Sequence, residues 1–83
     1  MDLKAALAVT KQEINDLFAA DAPRDARLES FLYDDHLGVW SLTVGFALSV
    51  HPQEALTPAR QARSYKVVRV SEADKSVLSV RDR

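Results

Sequence analysis

The sequence predicts an α+β domain in which an N-terminal helix packs on a four-stranded antiparallel meander sheet. Three observations predict it. Apolar residues recur at helical spacing near the start of the chain, they alternate with a period of two from about Leu28 onward, and the strand-like runs fall into two pairs, each closed by a short polar turn.

Residues 3–19 read as the helix, because Leu3, Leu7, Thr10, Ile14 and Leu17 repeat at 4-3-4-3 spacing and Phe18 widens the stripe. Lys4, Lys11, Gln12, Asn15 and Asp16 fall on the opposite face, and Ala5, Ala6 and Ala8 add helix propensity. Asp2 stands where an N-cap belongs, since its carboxylate can accept from the first free backbone N–H groups. Asp21-Ala22-Pro23 ends the helix, because the residue before a proline avoids helical dihedrals.

Trp40, Leu42, Val44, Phe46 and Leu48 share one face of the clearest strand, with Val39, Ser41, Thr43, Gly45 and Ala47 on the other. The Trp40 face and the helix stripe are the predicted core. A preceding strand, Arg27 to Tyr33, joins this one through Asp34-Asp35-His36-Leu37-Gly38 and makes a hairpin. A third strand runs from Arg63 to about Val70, turns through Ser71-Glu72-Ala73-Asp74-Lys75, and returns as Ser76 to Arg81. Residues 49–62, with Pro52 and Pro58, connect the hairpins; loops of that length are uncommon in compact domains and are usually functional or mobile. The alternatives for it are a helical turn after Thr57-Pro58 or strands that extend into both ends.

At 83 residues, 47% hydrophobic and 28% charged, residues 1–83 form one helix-plus-sheet domain and are not disordered by composition. A chain near this size buries only roughly 60% of its unfolded surface, so pairing with a second copy or a partner would help it. The absence of cysteine excludes a disulfide staple and a thiolate zinc site. Net charge is −1, but residues 1–55 carry four basic against nine acidic residues and residues 56–83 seven against three. Such halves either steer a partner or become ordinary solvated strand faces. Met1-Asp2-Leu3-Lys4 lacks the basic start and apolar run of a secretory signal, and no apolar run approaches the roughly 18 residues of a membrane span, so a cytoplasmic protein without membrane contact is expected.

Catalytic chemistry finds little support. His36 crowds with Asp34 and Asp35 on one tight turn, where adjacent side chains rarely converge on a metal. His51 with Glu54 would make an acid/base pair, but Ser49 and Ser64 lack any nucleophile-elbow pattern. With only Gly38 and Gly45 in the chain there is no phosphate-cradling loop. No enzyme activity, cofactor or metal is expected.

Binding is the better-supported class. A sheet covered by one helix keeps an open face, and an exposed apolar patch of Phe31 and Tyr33, or of Tyr65 and Val67, marks a protein partner or a second copy of the chain. In the first strand, Phe31 and Tyr33 share one face while Leu28 and Leu32 share the other. The expected function is therefore a non-enzymatic protein-interaction or regulatory module that self-associates through its open sheet face. The alternative is a small nucleic-acid-binding protein. Arg63, Tyr65 and Arg69 share strand parity, as do Arg81 and Arg83, and basic residues around an aromatic suit a single strand. An isoelectric point near 6.0 weighs toward a merely solvated face.

The final hairpin, Tyr65-Lys66-Val67-Val68-Arg69-Val70 through Asp74-Lys75 to Val77-Leu78-Ser79-Val80, resembles the closing hairpin of a PepSY-type domain. In that family an aromatic and alternating valines lead through a turn pair, usually with glycine, into Val-Leu-x-Val. The resemblance implies a small helix-plus-sheet module with a regulatory or peptidase-associated role and no catalytic residues.

Overall fold

The structure, a computed structural model, describes residues 1–48 and 63–83. It contains α1 (Leu3–Leu17), a 3-10 turn (Ala19–Asp21), β1 (Arg24–Asp34), β2 (Val39–Ala47), β3 (Arg63–Ser71) and β4 (Ser76–Asp82). All neighbouring strands are antiparallel in the order β1-β2-β3-β4, so the sheet is an open meander with α1 on one face, as the patterning predicts.

Asp2 caps α1, its extended backbone letting the carboxylate accept from the Ala5 N–H at 2.8 Å. The helix stops two residues short of the predicted end. Phe18 N–H still reaches Ile14 O at 3.0 Å, after which the 3-10 turn and a left-handed Ala22 (φ 47°) swing the chain into Pro23 and β1. Ala6, Thr10 and Ile14, spaced four apart, form the fully buried line of α1, whereas Leu17, at 53% exposure, lies outside the core. Two of those three residues are small, which lets the helix backbone approach the sheet. Thr10 stays satisfied there by donating to Ala6 O at 2.9 Å.

Beneath that line, Leu42, Val44 and Phe46 of β2 and Val68 and Val70 of β3 are fully buried. Phe18 closes the far end against Phe46, ring centroids 5.3 Å apart. Complete burial of such side chains stabilises the fold by about 1.5–3 kcal/mol each.

Period-two alternation is broken three times. In β1, Leu28 opposes Val44 and Ser30 opposes Thr43, so one extra residue bulges between them. Leu28 therefore faces the core together with Phe31, which opposes Leu42; strict alternation had separated the two. A second irregularity between Arg24 and Arg27 includes Asp25 at φ 56°. A third leaves Leu78 of β4 outside the pairing between Ser79 and Val77.

Both tight turns are held by side chains. Asp34 Oδ1 accepts from the His36 and Leu37 N–H groups at 3.0 and 3.2 Å, and Gly38 closes that turn at φ 62°. The Glu72 N–H donates to Gly38 O at 2.9 Å and ties the two turns together. In the β3–β4 turn Lys75 occupies a left-handed position (φ 53°), a conformation that glycine adopts without steric cost. Lys75→Gly is expected to raise the urea midpoint, since a side chain in that region costs roughly 1–2 kcal/mol. An unchanged or lowered midpoint would show that the turn is not strained.

Candidate binding face

Register decides what the sheet presents on the side away from α1. Ser41, Arg69 and Ser79 lie abreast there, as do Thr43, Val67 and Arg81, while Gly45 sits between Arg27 and Tyr65. Arg24 and Arg63 flank Ala47. All six arginines among the described residues thus belong to one face. No lysine joins them. Lys4 and Lys11 are on α1, Lys75 is in a turn, and Lys66 lies on the helix side, pairing with Asp82 and resting 5.6 Å from the Phe18 ring. Between the arginines lie small residues, half-buried Ser41 and Thr43 and buried Gly45 and Ala47, and the Glu29 carboxylate lies over Gly45 beside Tyr65.

Tyr65 is seated by Gly45. A Cβ added at Gly45 would stand 2.7 Å from Tyr65 Cε1, so the phenol ring lies flat across the glycine backbone and no larger residue fits beneath it. Arg83 covers the ring from the other side, its guanidinium carbon 4.2 Å from the centroid. The result is a layered stack of backbone, phenol and guanidinium.

The arginines do different work. Arg63, with a side chain only 22% exposed, donates to Asp25 Oδ2 at 3.1 Å and to Asp25 O and Gly45 O at 2.7 Å each. It is a clamp that holds the irregular start of β1 to β2. Arg27 grips the same carboxylate through Nε and Nη2, both at 3.2 Å. The Arg27 hydrogen bond first, opposed by desolvation and reinforced by Arg63, holds the Asp25 carboxyl below the usual aspartate value. Arg24, Arg69 and Arg81 make no ion pair among the described residues.

The two alternative patches expected on the open face fall on different faces, and only one of them lies on the open side. Tyr65 and Val67 are on the arginine face, whereas Phe31 and Tyr33 oppose Leu42 and Trp40 and share the side of α1. The helix packs over β2, β3 and β4, so β1 extends beyond its cover, leaving Phe31 54% and Tyr33 36% exposed. Both lean on Trp40, at centroid distances of 6.3 and 4.8 Å, and form an aromatic ledge. The Tyr33 hydroxyl donates to Glu72, which raises the phenol's pKa and lowers that of the carboxyl.

Of the catalytic candidates, His36 is exposed in its turn and Ser64 opposes Phe46 on the helix side. Ser49, His51, Glu54 and the whole 49–62 connection lie outside the described residues. Among the described residues no group of His, Asp or Glu is placed to hold a metal ion, and no helix is long and apolar enough to cross a membrane. No family model, curated protein or solved structure matches this chain.

Sequence parity found Arg63, Tyr65, Arg69, Arg81 and Arg83 but missed Arg24 and Arg27. Their spacing of three becomes a shared face only through the irregularity at Asp25. An aspartate with a pKa lower in the folded than in the unfolded chain stabilises the fold above the ordinary value of 3.8, and that stabilisation is lost as pH falls through the lowered value. Asp25→Asn is therefore expected to flatten the acid limb of melting temperature against pH, followed by circular dichroism. An unchanged limb would mean that the clamp does not form in solution.

Proposed function

We propose that this chain is a small non-enzymatic interaction module whose contact surface is the sheet face away from α1, and that its partner there is anionic. Six arginines gathered on one face of a protein with a net charge of −1, against Asp25 and Glu29 there, carry the proposal, with Arg24, Arg69 and Arg81 unpaired among the described residues. Guanidinium groups offer forked donors to carboxylates, phosphates and sulfates, and the small Ser41 and Thr43 between them leave a partner room to approach. The PepSY-type resemblance of the closing hairpin supports the same class, a regulatory module without catalytic residues.

Self-association finds its support at a different place from the one expected. A two-fold contact through the arginine face would set the same cations against each other. The Phe31–Tyr33–Trp40 ledge is apolar and adjoins β1, a sheet edge whose stretch from Ser30 to Asp34 is regular. A second copy pairing there would continue the sheet and cover the ledge.

Two measurements test these readings. The protein is expected to be retained on immobilised heparin despite its net negative charge, and Arg69→Glu with Arg81→Glu should abolish retention while Lys4→Glu with Lys11→Glu, the same charge change on α1, does not. Passage of the unaltered protein straight through the column at low salt would sink the open-face reading. For the ledge, sedimentation is expected to show a concentration-dependent dimer that Phe31→Asp returns to monomer; a monomeric unaltered protein at high micromolar concentration rules the dimer out.

A further inference from the structure

We infer that the anionic partner is a single-stranded nucleic acid lying across β3 and β4, an inference that rests on the open face being the contact surface. Arg69 is opposite Ser79, which makes Arg81 its diagonal neighbour on β4, and Arg83 follows Arg81 by two residues on the same face. Diagonal cross-strand positions are about 7–8 Å apart, and two residues along a strand span about 6.7 Å. The Arg69 and Arg81 positions therefore lie one diagonal step apart with Arg83 beyond them, a line that an extended phosphodiester backbone can follow.

Arg63 takes no part, because three of its N–H donors and its charge are already engaged by Asp25 and Gly45. Two further features separate a nucleic acid from an acidic peptide. The outer plane of the Arg83 guanidinium, held flat by its stack on Tyr65, offers a surface on which an unpaired base can lie, and a peptide of Asp and Glu has no group that uses it. Beside it, the half-buried Val67 keeps the surface low enough for a base to reach the stack, whereas Gly45 is covered by Tyr65 and by the Glu29 carboxylate. A duplex is a poorer fit, since its bases are already stacked and the face is a flat sheet with no element shaped to enter a groove.

Fluorescence anisotropy with labelled oligo-dT and oligo-U of about 12 nucleotides, within the range of single-strand site sizes, tests the assignment, with poly-glutamate and a duplex of equal length as competitors. Both oligonucleotides are expected to bind at low salt. Arg69→Gln and Arg81→Gln should each make the log–log salt dependence shallower by about 0.7. Arg83→Ala should weaken binding about tenfold or more, as loss of a base stack does, and Lys11→Gln should change nothing. If poly-glutamate binds and the oligonucleotides do not, the nucleic-acid assignment is overturned while the open-face reading stands. Equal affinity for the duplex likewise overturns the single-strand assignment. Absence of binding to both polymers together with absence of heparin retention overturns both.

Discussion

Everything in this fold depends on the contact between the buried line of α1, Ala6-Thr10-Ile14, and the row Leu42-Val44-Phe46 of β2. One helix supplies the only described cover, so one side of the sheet becomes core and the other is left to polar and charged side chains. The small residues Ala6 and Thr10 are what allow the close approach, while the bulkier Leu3, Leu7 and Phe18 pack around its margins. With that contact made, the alternation along β2 assigns a side to the residues of β3 and, apart from the slip at Leu78, of β4 through the ladder hydrogen bonds.

β1 obeys a looser rule. It lies at the sheet edge, less covered by the helix than the other strands, and its two irregularities let it change which residues face inward. The bulge beside Leu28 keeps Leu28 and Phe31 on the core side together, and the left-handed Asp25 brings Arg27 over Gly45. Such features also discourage uncontrolled edge pairing, leaving a short regular stretch next to the aromatic ledge. The same strand thus separates two surfaces of unlike chemistry, arginines on one side and exposed aromatics on the other.

On the arginine face, structure and candidate function are interleaved. Gly45 has no side chain, and that lack seats Tyr65; Tyr65 in turn stacks against Arg83. Arg63 and Arg27 are drawn into the Asp25 clamp, which removes Arg63 from the binding set and assigns it to holding the sheet together. Arginines that look alike in a list of basic residues differ in what they already touch, and only those without a carboxylate partner are free to recruit an anion.

The helix, the four strands, the Asp2 cap, the core face of β2 and the parity of Arg63, Tyr65, Arg69, Arg81 and Arg83 were all legible in the sequence, because each follows from local periodicity or from the chemistry of one residue beside its neighbours. What the sequence could not determine was where that periodicity slips. Bulges depend on how β1 is accommodated against β2, a long-range energy with no local signature, and they moved Leu28 to the side of Phe31 and brought Arg27 onto the face of Arg24, while the hairpin register placed Phe31 and Tyr33 on the helix side. The division of Arg63 from Arg69 and Arg81 was likewise a tertiary decision. Sequence alone determined that a small sheet with one helix would keep an open face; only the packed structure decided which side chains that face would carry, because register is set by pairing between strands and not within them.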